Sequence, residues 1–384
     1  MGNGSLSRGQ RPLMQPRAAS RMPADKEVLM REVWISQLGH AFPGPPVPQD
    51  EAVRWMEPRL RAGADHERFH RFAARSGIAF RHSVLDIHGA EGEAFYPTGQ
   101  GVAADMGQRS RAFDVKALPL SLAAVARACP GGPGDITHIV VATCTGAVAP
   151  GLDIQLAKAL GLRSDVRRTC ITFMGCYAAI PALRTAWYTC RAEPTARVLV
   201  VCCELSTLHL KPGPEDDKLI AALLFADGAS AAVVESGPRP VGLGLRIAGD
   251  GSALLPDSED QMTWQAGHDG FALTISPKVH GSIGHDIKPF AEKLLGNGRA
   301  VDSVRWAVHP GGPRIIESVE RKLGLVDGAL GNSRSALAEG GNRSSATIMT
   351  ILERELRSDW RGDLALVAFG PGLTADALVV ERCS

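Results

Sequence analysis

Three residues of this chain stand where a turn meets a regular element, and their types suit one kind of chemistry. Cys176 follows the apolar run Thr172-Phe173-Met174-Gly175 and opens the small-residue helical pattern Tyr177-Ala178-Ala179-Ile180. A thiol in the first turn of a helix meets unpaired backbone N–H groups and the positive end of the helix dipole. Both favour the thiolate, which is the nucleophilic form, and Gly175 permits the sharp turn. His309 ends the apolar run Val304 to Val308 and precedes Pro310-Gly311-Gly312-Pro313. Asn342 follows Gly340-Gly341 and precedes Arg343-Ser344-Ser345 and the helix-forming run Ala346 to Leu356. Taken singly, the three read as a small buried hydrophobe, a loop histidine and a helix N-cap. As a set they supply a nucleophile, an imidazole that donates or moves a proton, and an amide donor. The chemistry they suggest is acyl transfer through a thioester.

The elements that must position them alternate. Strands are expected at Val33–Leu38, Ile136–Ala142, Ile171–Met174, Val198–Cys203, Ala231–Glu235, Leu273–Ile275, Val304–Val308 and Leu364–Phe369. Helices are expected at Asp50–Ala64, Leu118–Cys129, Gly151–Leu160, from Cys176, and at Lys218–Phe225, Ser282–Leu295, Arg314–Leu323 and Ser344–Leu356, with a turn at Asp227-Gly228. Such alternation implies an α/β fold. The parts before and after about residue 240 share an order of elements. Gly370-Pro371-Gly372-Leu373-Thr374-Ala375 matches a dinucleotide fingerprint, but too little chain follows it for a βαβ unit. It is read instead as a tight loop facing a cavity.

The 384 residues are 45% apolar and 22% charged, enough for two packed halves. A net charge of +1 gives no sign of a nucleic-acid or anionic-membrane partner. No apolar run reaches the length of a membrane span. Residues 1–25, with four arginines and no acid among the first 24, read as a disordered tail. The eight cysteines form no CxxC pair, which fits reduced thiols in the cytoplasm. Cys202, Cys203 and His209 could be imagined as metal ligands, but they lie on or beside a buried strand pattern, so no metal site is expected.

Val308-His309-Pro310-Gly311-Gly312-Pro313, Gly341-Asn342-Arg343-Ser344-Ser345-Ala346 and Phe369-Gly370-Pro371-Gly372-Leu373-Thr374 resemble signature segments of the type III polyketide synthases, the chalcone synthase-like enzymes. Met174-Gly175-Cys176 and Leu224-Phe225-Ala226-Asp227-Gly228-Ala229 match in the expected order, and the resemblance runs from Val33 to Glu381. It implies a thiolase-like duplicated αβαβα five-layered fold, with residues 26–240 carrying the cysteine and 241–384 the histidine and asparagine. It also implies a homodimer acting on acyl- and malonyl-coenzyme A, with no cofactor beyond these thioesters. Cys176 would take the acyl starter, while His309 and Asn342 would polarise the malonyl thioester during decarboxylation. His309 would also hold Cys176 as thiolate.

The resemblance makes Phe225 a gatekeeper between tunnel and cavity. It places Ile275, Cys144, Ala149, His209 and Ser344 on the cavity wall and Gly370, Pro371 and Gly372 in the loop that shapes it. Arg75 and Arg81 become candidates for coenzyme A phosphates. Ile275 stands where plant enzymes carry a second gatekeeping phenylalanine, Ala226 replaces glycine, and Arg343 replaces an apolar residue. The segment Cys202 to His209 is more similar to bacterial members that make alkylpyrones or alkylresorcinols from fatty acyl starters. A malonyl-primed naphthalene-type synthase and a 3-oxoacyl carrier-protein synthase III-like enzyme are the alternative readings.

Overall fold

The computed structural model describes residues 31–99, 101–296 and 299–383, so the expected tail at 1–25 lies outside the described residues. Nine strands form its main sheet. They are β1 (Val33–Ala41), β2 (His138–Thr143), β3 (Arg167–Thr172), β4 (Arg197–Leu205), β5 (Asp227–Ser236), β6 (Leu245–Leu254), β7 (Arg305–Val308), β8 (Gly362–Gly370) and β9 (Thr374–Arg382). Across the sheet they run β7-β8-β9-β6-β1-β5-β4-β2-β3.

The order hides a repeat. β1 pairs antiparallel with β5, β5 antiparallel with β4, and β4 parallel with β2. β6 pairs antiparallel with β9, β9 antiparallel with β8, and β8 parallel with β7. The two half-sheets meet only where Trp34 opposes Arg246 and Ile35 opposes Leu245.

Strand alternation then builds the layers, because successive side chains point to opposite faces. In β4, Val198, Val200 and Cys202 face one core while Leu199, Val201, Cys203 and Leu205 face another. In β8, Leu364, Leu366 and Ala368 share that first core, while Ala365, Val367 and Phe369 face a third. Helices Ala179–Ala192 and Ala346–Glu355 fill the shared core. Helices Met106–Ala128 and Leu152–Ala159 cover the outer face of the first half, and Val279–Leu295 and Pro313–Leu323 that of the second. The result is the five-layered αβαβα arrangement. Each large aliphatic side chain buried in these cores contributes about 1.5–3 kcal/mol. Cys202 and Cys203, on opposite faces of β4, cannot share a metal. Among the described residues no cluster of His, Cys, Asp or Glu could hold one, and no helix is long and apolar enough to cross a membrane.

Several local expectations change. Asp227-Gly228 is not a turn but the start of β5. The buried Asp227 carboxylate accepts N–H bonds from Val84 (2.7 Å) and Thr207 (2.8 Å), so a turn-favouring residue is satisfied inside a strand. The helix expected from Leu118 starts at Met106, behind a capping box of Asp105 and Gln108. Pro119, which marks a helix start in sequence, lies inside it, and buried Arg109 breaks its apolar pattern. Asp50–Ala64 splits into helix Gln49–Met56 and the 3₁₀ turn Glu57–Arg59, which contains Pro58, and a further helix follows at His66–Ala74. The Gly370-Pro371-Gly372 segment is the turn of the antiparallel β8–β9 hairpin.

Candidate active site

The two central helices are led by the two loops that carry Cys176 and Asn342. After β3, the backbone turns through left-handed conformations at Phe173 (φ 57°) and Gly175 (φ 77°). The 3₁₀ turn Gly175–Tyr177 then leads into helix Ala179–Ala192. A Cβ on Gly175 would lie 2.6 Å from Pro371 Cδ, so this position needs glycine for both its φ and its close neighbour. On the other side Gly341 (φ 68°) meets the same two demands, with Ala226 Cβ 2.8 Å from where its own Cβ would be. Asn342 is pinned by its backbone: its N–H donates to Leu224 O (2.9 Å), and its carbonyl accepts from Ala226 N–H (2.9 Å). His309 follows β7, and its N–H donates to Val367 O (2.8 Å).

Cys176, His309, Asn342 and Ser344 line one cavity of about 40 Å³. The Cys176 Sγ is 4.0 Å from both side-chain atoms of the Asn342 amide. Ser344 N–H donates to Asn342 Oδ1 at 2.8 Å. That bond assigns Oδ1 as the held acceptor and leaves Nδ2 as the donor facing the sulfur. His309 is buried, and neither ring nitrogen has a hydrogen-bond partner among the described residues.

The electrostatics run against the expectation that His309 holds Cys176 as thiolate. Burial pushes the Cys176 thiol up to about 11. Hydrogen bonding with Ser344 opposes the rise, the Glu204 carboxylate adds to it, and Asn342 opposes it. Burial, then the positive charge of Arg343, pushes His309 down to about 3. Burial thus favours the thiol form of Cys176 and the neutral form of His309. A single 3₁₀ turn does not outweigh removal of the sulfur from water. His309, whose two ring nitrogens lack a partner among the described residues, lines the same cavity as the Cys176 thiol.

Of the other expected wall residues, Cys144, Phe225, Ile275, Ser344 and Pro371 line this cavity. The Cys144 Sγ accepts from Gly175 N–H at 3.0 Å. His209 lies behind the wall, its Nε2 3.0 Å from Thr145 O and its ring packed on Phe271. Ala149 is exposed and is not among the described residues that line this cavity in the single chain. Gly370 and Gly372 act through the backbone. A Cβ at Gly370 would lie 2.4 Å from Tyr177 Cδ1, and one at Gly372 would lie 2.6 Å from Thr374 Oγ1.

A vestibule of about 230 Å³ adjoins the cavity, and Ile275, Gly311 and Ile315 belong to both. These three form the passage; Phe225 lies on the inner side of it. Arg75 lines the vestibule, together with Arg314 and His280. Arg81 does not. It is buried, its guanidinium donates to the carbonyls of Ala222 (2.5 Å) and Phe225 (3.2 Å), and it braces the Phe225 turn instead of meeting phosphate.

Three residues escaped the sequence reading. Glu204 is buried at the end of β4 and accepts from Cys144 N–H (3.0 Å), Thr145 Oγ1 (2.9 Å) and Ser345 Oγ (2.6 Å), and burial pushes it up to about 7. Its signal was an acid closing an apolar strand. Trp264, in the hairpin Met262–Gly267 and Gly270–Ile275, donates its indole N–H to Cys144 O at 2.8 Å and lines the cavity. A second void of about 30 Å³ shares Trp264, Phe225, Ser206 and Leu273 with the cavity, so these residues partition the two. Arg314 follows Pro313 in the first turn of its helix, a position with no distinctive sequence signal.

Known proteins share sequence and fold with this chain. The family description "Chalcone and stilbene synthases, N-terminal domain" matches residues 30–238, and its C-terminal counterpart matches residues 247–384. "Type III polyketide synthase 10" of Oryza sativa subsp. japonica is 33% identical, covering 91% of this chain and 92% of that protein. "Alpha-pyrone synthesis polyketide synthase-like Pks18" of Mycobacterium tuberculosis is 31% identical over 86% of each. The solved C-terminal type III polyketide synthase domain of Steely1 from Dictyostelium superposes with a TM-score of 0.85 at 26% identity, covering 92% of this chain and all of that one.

The orientation of the Asn342 amide generates a test. Asn342→Asp keeps an acceptor for Ser344 N–H but removes the donor facing the sulfur. Loss of one such donor typically costs a hundredfold or more in rate. Decarboxylation of malonyl-coenzyme A should slow by that order, while transfer of an acyl group to Cys176 stays nearly unchanged. Equal losses in the two steps, measured by carbon dioxide release and by protein mass, would make Asn342 a structural residue.

Proposed function

The chain belongs to the chalcone and stilbene synthase family and is a type III polyketide synthase; from that premise we propose that it primes Cys176 with a fatty acyl group, extends it with malonyl-coenzyme A and closes the product into an alkylpyrone or alkylresorcinol. The observation that carries this reading is the apolar cavity at the nucleophile, joined through Ile275, Gly311 and Ile315 to a vestibule bearing Arg75 and Arg314.

In this reading the two arginines meet the phosphates of coenzyme A, and the thioester arm passes Ile275. Sγ of Cys176 attacks the acyl carbonyl, its proton passes to His309, and the coenzyme A thiolate leaves with that proton. Malonyl-coenzyme A then binds with its thioester oxygen toward His309 and Asn342 Nδ2. Their N–H groups stabilise the enolate as carbon dioxide departs. The enolate carbon attacks the acyl group, the C–S bond to Cys176 breaks, and a chain longer by two carbons remains on coenzyme A. Returned to Cys176, it enters another round. A cavity closed to water protects the carbanion.

The starter assignment rests on the lining. Phe225, Met262, Leu273, Ile275, Ile315 and Phe369 face the cavity, and among its described lining residues there is no lysine or arginine to hold a second carboxylate. This favours an alkyl starter over a malonyl one, and the alpha-pyrone in the name of the mycobacterial relative supports a pyrone product. The free space is little more than the share of one water in the liquid, about 30 Å³. Trp264, as the partition, sets how far an alkyl chain penetrates.

The active form is a homodimer in this reading. β3 is the outer strand of the sheet, Arg167 to Cys170 are exposed along it, and Phe173 beside it is 48% exposed. An uncovered edge strand next to an exposed aromatic is a ready pairing site for a second copy. Sedimentation should give a dimer at micromolar concentration, and a monomer would contradict the assignment. The eight free thiols fit a reducing cytoplasm.

The activity is tested by offering acyl-coenzyme A starters of graded length with malonyl-coenzyme A and reading product masses. Fatty acyl starters should give cyclised products. Equal use of malonyl-coenzyme A alone would instead support the naphthalene-type alternative. Trp264→Ala should join the two voids and raise kcat/KM for a starter two methylenes longer, relative to the shorter one, by roughly tenfold at about 0.8 kcal/mol per buried CH₂. An unchanged length preference would show that Trp264 is not the partition.

A further inference from the structure

The cavity at Cys176 has a free space of about 40 Å³, little more than the share of one water in the liquid, about 30 Å³. An acyl starter with a growing chain does not fit there unless a wall moves. The loops of Cys176 and Asn342 are fixed by close backbone approach, Gly175 against Pro371 and Gly341 against Ala226. A different kind of wall is the hairpin Met262–Gly267 and Gly270–Ile275, which stands outside the nine-stranded sheet. A two-stranded hairpin has marginal stability by itself, so whatever ties it down decides how readily it yields.

This hairpin faces three spaces. Trp264 and Leu273 border both the cavity and the second void of about 30 Å³, and Ile275 borders both the cavity and the vestibule of about 230 Å³. Helix Asp216–Leu224 lines the void through Ala222 and the vestibule through Leu223. Parting the hairpin from that helix would join the three spaces into one.

The base of the hairpin is pinned, because Ser276 N–H donates to Gln261 O (2.8 Å) and Leu373 N–H donates to Ser258 Oγ (2.7 Å). Along its length it is tied to the first half by the Trp264 indole bond to Cys144 O (2.8 Å) and by Phe271 N–H, which donates to His209 Nδ1 (3.2 Å). At its tip Met106 N–H donates to His268 O (2.9 Å), and Asp269 pairs with both Lys211 and Arg61, each at 2.6 Å. Lys211 also donates to Gly270 O at 3.0 Å. Arg61 N–H donates to Pro212 O at 2.9 Å, so the two cations stand on segments that are themselves joined. Asp269 is the one acid among residues 262–275.

We propose that Asp269 is a specificity-determining latch: its doubly paired carboxylate holds the hairpin tip to the first half, and the ease of its release sets how long an acyl chain the cavity admits. Asp269 touches no reacting atom and acts through Trp264, Leu273 and Ile275. The Lys211 side chain is 10% exposed and that of Arg61 49%, so one shielded pair and one wet pair share the carboxylate. Ion pairs of this exposure are weak enough to open and re-form. The bearing of the latch on the starter rests on the alkyl reading of the proposed function.

The test compares alkylation of Cys176 by iodoacetamide and by N-hexyliodoacetamide, mapped by peptide mass. Neither reagent is a thioester, so the result stands apart from turnover. Asp269→Asn should raise the rate with the hexyl reagent, relative to that with iodoacetamide, by roughly fivefold. Asp269→Glu, which keeps the charge, should stay near the wild type. Arg61→Ala, which removes only the wet pair, should shift the ratio the same way by less. Amide hydrogen exchange across residues 262–275 should quicken in the Asn and Ala variants. A wild-type ratio in Asp269→Asn, an equal gain with both reagents, or unchanged exchange in the hairpin overturns the inference. Should Asp269→Asn not fold, Arg61→Ala decides by the same two readings. A shifted ratio in an enzyme that turns over no fatty acyl starter keeps the latch and refutes the starter.

Discussion

Removal of the Cys176 sulfur from water is the constraint on which the rest of the site depends. It pushes the thiol up to about 11 and so favours its protonated form. Every polar group around it then has a definite duty. Ser344 N–H turns the Asn342 amide so that its donor faces the sulfur. Neither ring nitrogen of His309 has a hydrogen-bond partner among the described residues. Glu204 ties the Cys144–Thr145 loop to Ser345 at the head of the second central helix, which joins the two halves directly beneath the cavity. The same dryness that makes the thiol reluctant protects an enolate from protonation by solvent.

Such a site needs two loops from different halves to meet without a gap. The meeting is made by glycines at positions where φ and space agree. Gly175 lies against Pro371 of the β8–β9 turn, and Gly341 lies against Ala226 next to the Phe225 turn. The duplicated topology brings both loops to the same place, because each leads into one of the two helices of the central layer. Side chains carried on the loops before these helices are held by the core itself, with Ala179, Ile180, Ala346 and Ile348 essentially inaccessible.

Much of this was legible in the amino-acid order. Cys176, His309 and Asn342, which meet at one cavity, each followed a glycine or ended an apolar run, and turn chemistry is local. The strands at the centre of the sheet were legible for the same reason, being short apolar runs bounded by turns. What escaped was non-local. Asp227 looks like a turn residue until Val84 and Thr207, distant in sequence, satisfy its carboxylate. Pro119 looks like a helix start until the Asp105 cap is found a dozen residues earlier. Arg81 and Ala149 were read by position along the chain, yet one turns inward to carbonyls and the other outward to solvent. Trp264 carries no motif at all, and its role follows only from the hairpin that lays it against Cys144.

The central claim is that a single buried thiol, served by one histidine and one asparagine from the other half, carries every acyl intermediate. Its most direct measurement is peptide mass mapping after incubation with a starter acyl-coenzyme A in the absence of malonyl-coenzyme A. One acyl group on Cys176, with the seven other cysteines unmodified, is the predicted result. An acyl group on Cys144 or Cys203 with Cys176 free would contradict it.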